Sequence, residues 1–219
     1  MYVKDWMAKN VYTIDANATV SKALDIMSAT QFHRLPVVDK DGKLLGLLTE
    51  SLVTKNSPNS SSSLSVRELN YLLNKLTAKD IMIEGRDVIT INPDALLEEA
   101  ASLLLKNDIG CLPVLDDGKV VGIITHNDVF EAFINLLGYG KECTRYVVNV
   151  KDDKPGVLNK ITDCFKETNI NISNLGVYHN DRGIEIVVIT NGENSELGKE
   201  KLIEKGFDVT SMIHLTKDE

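Results

Sequence analysis

The chain repeats itself. Val3-Lys-Asp-Trp-Met7 is matched by Ala78-Lys-Asp-Ile-Met82, Val11-Tyr-Thr-Ile14 by Val88-Ile-Thr-Ile91, Leu35-Pro-Val-Val-Asp39 by Leu112-Pro-Val-Leu-Asp116, and Gly42-Lys-Leu-Leu-Gly-Leu-Leu-Thr49 by Gly118-Lys-Val-Val-Gly-Ile-Ile-Thr125. The four offsets lie between 75 and 77 residues, too small a drift for chance. Self-similarity at a fixed spacing constrains architecture before any local propensity does.

Both copies predict the same elements. A short strand (residues 11–14 and 88–91) leads into an amphipathic helix, with Val20, Ala23, Leu24 and Met27 on one face in the first copy and Leu97, Ala100, Ala101 and Leu104 in the second. Two strands follow, joined by Asp39-Lys-Asp-Gly42 or Asp116-Asp-Gly118, and Asp-Gly is a strong hairpin signal. The later strands (residues 44–49 and 120–125) are almost continuously apolar, which predicts burial on both faces. A final helix follows, clearest after Thr125, where Val129, Phe130, Phe133, Ile134 and Leu137 recur at helical spacing. Each unit is thus β-α-β-β-α. At about 50 residues such a unit seldom buries enough surface alone, so the two are expected to pack as a pseudo-twofold pair.

Between them, residues 55–63 read KNSPNSSSS, a linker composition. Ser65 and Glu68 form a capping box for a helix carrying Val66, Leu69, Leu72, Leu73 and Leu76, expected beside the second repeat. After Tyr139-Gly140 the pattern changes to strand (145–150), helix opened by Pro155-Gly156 and striped by Val157, Leu158, Ile161 and Phe165, two strands (170–178 and 184–190), a weaker helix (195–205) and a last strand (207–213). That order, β-α-β-β-α-β, is the split βαβ arrangement.

Composition narrows the function. With 24 Lys and Arg against 32 Asp and Glu, the net charge is -8. Such a chain is a poor partner for nucleic acid or an anionic membrane, which both demand clustered cations. No apolar run approaches the ~20 residues of a membrane span, and residues 1–10 have no signal-like core. The three cysteines, Cys111, Cys143 and Cys164, match neither a disulfide framework nor a zinc site. A cytoplasmic location is the expectation.

The duplicated blocks resemble a pair of CBS domains, over roughly residues 1–138. Residues 144–219 resemble an ACT domain through Lys151-Asp-Asp-Lys-Pro-Gly-Val-Leu158 and Thr168-Asn-Ile-Asn-Ile172. This domain order resembles the acetoin-utilisation protein B type of bacterial regulatory protein. The resemblance implies an α/β (α+β) chain: CBS repeat 1 at 1–56, a Ser-rich linker and connecting helix at 57–76, CBS repeat 2 at 77–140, and a ferredoxin-like ACT domain at 144–219. It also implies a homodimer and a regulatory role without a required cofactor.

The chemistry candidate is Gly122-Ile-Ile-Thr-His-Asn-Asp128, a motif that binds adenosine ligands in CBS pairs. A strand ends there and a helix begins, so free N–H groups and the positive dipole end suit a phosphate. Thr125 can donate its hydroxyl to a phosphate oxygen, Asp128 can accept from both ribose hydroxyls, and Gly122 would permit close backbone approach. Thr-x-x-Asp at a helix start is equally an ordinary cap, as at Thr77 and Asp80. The first copy carries Thr49 but Leu52 in place of the acid, so one competent site and one degenerate one are expected. By the resemblance, Thr90 and Ile91 line the adenine, Cys111, Leu112 and Pro113 form the facing wall, and His33 and Arg34 reach across the cleft toward phosphate. His126 is expected to face solvent. The ligand would be AMP, ATP or another adenosine compound. In the C-terminal domain the resemblance points to an amino acid held by Lys151, Asp153, Gly156, Val157, Leu158 and Asn171, with helix capping by Asp153 as the plainer reading.

No nucleophile stands beside a base at a recognised spacing, and His33, His126, His179 and His214 are scattered. No metal-ligand spacing occurs, and Asp39-x-Asp41-Gly42 lacks the later ligands of a calcium loop. A non-enzymatic sensor is therefore the leading reading. An amino-acid sensor with a purely structural CBS pair, or a nucleotide hydrolase, are the alternatives.

Overall fold

The structure is a computed structural model. It describes residues 1–56, 73–138, 142–152, 154–181, 183–191 and 194–216. The capping box of Ser65 and Glu68, and most of the linker, lie outside these residues. The chain divides into two compact units, Met1–Phe130 and Glu131–Glu219.

In the first unit both repeats fold alike. The first contains α1 (Val3–Trp6), β1 (Ile14–Asp15), α2 (Val20–Thr30), β2 (Arg34–Val38), β3 (Leu44–Thr49) and α3 (Glu50–Asn56). The second contains α4 (Ala78–Ile81), β4 (Ile83–Glu84), α5 (Leu97–Asn107), β5 (Cys111–Asp116), β6 (Lys119–Thr125) and α6 (His126–Leu136), the last crossing into the second unit. The expected helix stripes are the core: Val20, Ala23 and Met27 in α2, and Leu97, Ala100 and Leu104 in α5, are buried. Each such side chain contributes about 1.5–3 kcal/mol when fully buried, less for alanine. The hairpin glycines Gly42 and Gly118 have φ of 81° and 78°, which explains their place in the Asp-Gly turns.

Four details differ from the sequence reading. The strand expected at 11–14 is only Ile14–Asp15, because parallel pairing begins at Ile14 against Val37, and its counterpart in repeat 2 is a single bridge from Ile91 to Val114. Lys55 and Asn56 close α3 rather than open a linker. Leu73 and Leu76 pack on the core cluster of the first repeat, which Ala78, Ile81 and Met82 also join, and Val20 N–H donates to the Leu76 carbonyl. Leu45, within an apolar run, is 38% exposed.

The repeats complete each other. Ala8, in the leader segment of the first repeat, exchanges two backbone hydrogen bonds with Ile123 in β6 (2.9 and 3.1 Å). Ile83, in the leader segment of the second, pairs with Leu47 in β3. Val3 and Lys4 donate to Ala95 and Pro93, as Ala78 and Lys79 donate to Ala18 and Ala16. The hairpins meet through Leu44 N to Gly118 O and Val120 N to Gly42 O. This reciprocity is the expected pseudo-twofold, and it explains two glycines. A Cβ at Gly46 would collide with the Ile83 carbonyl and be 2.5 Å from Met82 Sδ, and one at Gly122 would collide with Met7 Sδ and lie 3.2 Å from the Ala8 carbonyl.

The second unit contains β7 (Cys143–Val150), α7 (Val157–Glu167), β8 (Asn171–Asn180), β9 (Gly183–Asn191), α8 (Ser195–Glu204) and β10 (Asp208–Leu215), with strand order β10-β7-β9-β8 and antiparallel neighbours. This is the split βαβ order inferred from the pattern. Tyr146 and Phe165 meet edge-on, 5.1 Å between centroids, amid Val148, Ile161, Ile186, Val188 and Leu202. Pro155 and Gly156 precede α7 rather than forming its first turn, and Gly156 caps it at φ 92°.

Gly46→Ala is expected to destabilise by about 1–3 kcal/mol in urea unfolding, because the new methyl meets backbone, whereas Gly122→Ala should cost less, because the end of the Met7 side chain can swing aside.

Candidate functional site

The expected cap forms at Thr125. Asp128 Oδ2 accepts from the Thr125 backbone N–H and from its hydroxyl, both at 2.7 Å. The same geometry recurs at Thr77 and Asp80, at 2.9 and 2.6 Å, where the two bonds hold the Asp80 carboxyl below its ordinary range. Capping alone therefore does not distinguish Asp128. Its surroundings do. Among the described residues nothing bonds to Oδ1 of Asp128, and this acid lines a cavity of about 450 Å³. In the first repeat Thr49 has no acid to hold, and its hydroxyl turns to Ser51 Oγ and Leu52 N.

The cavity gathers Thr125, His126, Asn127 and Asp128 from the second repeat with Val11, Tyr12, Phe32, His33 and Arg34 from the first. Two of these are large apolar side chains left open: Tyr12 and Phe32, 52% and 46% exposed, stand 5.8 Å apart at 46°. Exposed rings lining a concavity offer stacking surface to a planar ligand. The Arg34 guanidinium lies directly over Gly110, whose missing side chain leaves the room, with Nη1 3.0 Å from where a Cβ would sit. It is thereby displayed as a fixed fork of donors suited to phosphate. His33 Nδ1 lies 2.6 Å from Glu50 Oε2, and both side chains are more than half exposed.

Of the nucleotide-site residues inferred from sequence, His33, Arg34, Cys111, Thr125 and Asp128 share this lining, whereas Thr90, Ile91, Leu112, Pro113 and Gly122 lie outside it. The reasons are visible. Ile91 N–H donates to Pro113 O, and its carbonyl accepts from Leu115, inside the sheet. Leu112 is fully buried core. Gly122 is the crossing point for Met7 and Ala8. His126 is exposed as expected but also lines the cavity. Tyr12 and Phe32 were missed, although the sequence did signal them: Tyr12 is an aromatic inside a block that repeats, where the second copy has Ile89, and Phe32 stands just before another such block. Among the described residues no cluster of His, Cys, Asp and Glu could hold a metal, and no helix is long and apolar enough to cross a membrane.

A family model for the CBS domain matches residues 3–57 and 78–135, just over half of the chain. The chain belongs to the CBS-domain family. Three solved structures resemble this CBS pair. A candidate acetoin utilization protein (AcuB) from Vibrio cholerae is 32% identical, with a TM-score of 0.53, covering 63% of this chain and 93% of its own. The CBS pair of protein MJ0100, in complex with 5′-methylthioadenosine and S-adenosyl-L-methionine, is 30% identical with a TM-score of 0.50, covering 62% and 97%. CBSX2, a CBS-pair protein from Arabidopsis thaliana, in complex with AMP, is 28% identical with a TM-score of 0.50, covering 61% and 96%. All three matches span little more than the CBS pair.

In the second unit, Lys151 is exposed beside the start of α7, Gly156 caps that helix, Val157 packs on the core, Leu158 is 37% exposed, and Asn171 opens β8 on the outer face of the sheet edge. Asp153 lies outside the described residues. The described cavity of this unit lies elsewhere, lined by Glu142, Cys143, Thr144, Ser195, His214, Leu215 and Thr216.

Burial pushes the Cys111 thiol up to about 11, against the opposite pull of the Arg34 charge. At about pH 8 its alkylation by iodoacetamide is expected to run roughly two orders of magnitude slower than that of an ordinary thiol, as read by mass spectrometry of the Cys111 peptide. Alkylation at the free-thiol rate would contradict the buried placement.

Proposed function

We propose that this CBS pair binds an adenosine nucleotide in the cavity between Asp128 and Arg34 and acts as a ligand-responsive regulator rather than a catalyst. One observation carries the reading. A carboxylate held in place by its cap, with one oxygen unbonded, shares a cavity of about 450 Å³ with a displayed guanidinium and two open aromatic rings. That set meets the three chemical parts of a nucleotide. Asp128 Oδ1 would accept from the ribose hydroxyls, Arg34 and the first N–H groups of α6 would bind phosphate, and Tyr12 with Phe32 would cover the base. The adenosine compounds bound by two similar CBS pairs support the same class.

Leu52 in the first repeat offers no acceptor, and an unmet buried hydroxyl costs about 1–3 kcal/mol, so one site per chain is proposed. Binding would favour one packing of the two repeats only to the extent that the ligand prefers it. A role near acetoin utilisation, a cytoplasmic location, and a homodimer with an ACT-like C-terminal domain taking an amino acid near Lys151 and Asn171 belong to the same proposal. The solved likeness to the Vibrio protein supports the first of these.

Isothermal titration with AMP, ATP, NAD and S-adenosylmethionine tests the reading. At least one is expected to bind below millimolar, with Asp128→Ala weakening it by roughly 10- to 100-fold, in line with about 1–3 kcal/mol for a lost charged hydrogen bond. Asp80→Ala removes an equivalent cap away from the cavity and should leave affinity unchanged, which separates lost binding from lost capping. Failure of all four ligands, or equal binding by the Asp128 variant, overturns the proposal and favours the amino-acid sensor.

A further inference from the structure

Four scattered histidines gave no catalytic spacing in the sequence, yet the fold brings one of them between two hydroxyls. His214 in β10 pairs across the sheet with Thr144 in β7. Its Nδ1 lies 3.0 Å from Thr144 Oγ1, and its Nε2 lies 3.3 Å from Ser195 Oγ. Thr144 and Ser195 are 3% and 8% exposed, while His214 is exposed. All three line the second unit's cavity of about 450 Å³.

We infer that Ser195 is an acyl-accepting serine, with His214 as its base and Thr144 as the positioning residue that holds the ring. The order hydroxyl, imidazole, orienting acceptor is what nucleophilic catalysis requires. Three further features suit it. Ser195 is the first residue of a ten-residue helix, so first-turn N–H groups without intrahelical acceptors begin at the nucleophile, where an oxyanion would form. The residue before it, Asn194, has φ 75° and ψ 27°, a left-handed conformation uncommon outside glycine. The Ser195 carbonyl is pinned by the buried Tyr146 hydroxyl at 2.7 Å, which fixes the turn.

The substrate class is a small activated acyl ester. Ser195 Oγ attacks the acyl carbon while its proton passes to His214 Nε2. The carbon–oxygen bond to the alcohol breaks, and the leaving oxygen takes that proton. Water then attacks the acyl-serine, giving a proton to Nε2; the bond between the acyl carbon and Oγ breaks, Oγ takes the proton from Nε2, and the acid and free serine result. Threonine orients the imidazole without a charge to stabilise the imidazolium, so the reaction is expected to be slow. This inference does not depend on the nucleotide site.

The test uses the full-length protein with p-nitrophenyl acetate, read by nitrophenolate release and by mass spectrometry of the Ser195 peptide. One acetyl group on Ser195 is expected, absent in Ser195→Ala, and forming roughly 100-fold more slowly in His214→Asn, the usual scale for a lost general base. Circular dichroism establishes that each variant is folded. An unlabelled Ser195 peptide, or labelling of folded His214→Asn at the wild-type rate, overturns the proposal and leaves His214 as a cap on two buried hydroxyls.

Discussion

The exchange of edge segments between the repeats is the interaction on which the first unit depends. A three-stranded β-α-β-β unit leaves the edge of β3 or β6 open, and an open edge is a row of unmet backbone donors and acceptors. Each repeat closes that edge with the leader of the other: Ile83 on Leu47, and Ala8 on Ile123. Neither repeat is complete alone, so the pair folds as one body. The crossing leaves no room for a side chain, which is why Gly46 and Gly122 occupy matching positions. Glycine six residues before the motif acid thus answers a packing demand of the repeat.

The same exchange builds the cavity. The leader that ends at Ala8 carries residues 10–12 across to the start of α6, so Val11 and Tyr12 face Thr125 and Asp128 of the other repeat. A site assembled from one repeat's helix start and the other's leader is asymmetric as soon as either contributor changes. Leu52 in place of an acid, and Gly110 where the first repeat has His33, are two such changes. The second lets Arg34 lie across the gap.

The C-terminal unit follows a different rule. Its sheet order comes from two split βαβ crossovers, and its core from the alternation that sends Tyr146, Val148 and Val150 toward the helices. The residues that resemble an amino-acid site stand at the start of α7 and the edge strand, whereas the Ser195, His214 and Thr144 cluster forms where β7, β10 and the start of α8 converge.

Much of this was legible in the amino-acid order. The duplication set two equal units, helical spacing marked Val20, Ala23, Met27 and their counterparts as core, and the changed period after Gly140 marked the split βαβ unit. These are properties of local pattern, and burial periodicity records them directly. Thr125 and Asp128 were also legible as a pair, because a cap is a contact three residues long. What the order alone left undecided was which such pair faces a cavity, since Thr77 and Asp80 share its geometry, and which residues stand opposite. Tyr12 comes to the cavity of Asp128 through the exchanged leader, Phe32 and Arg34 through the packing of the α2–β2 junction beside the second repeat, and Ser195 meets His214 only where the start of α8 packs beside β10. Contacts between distant segments depend on how edges are closed and strands aligned, and those are settled by packing.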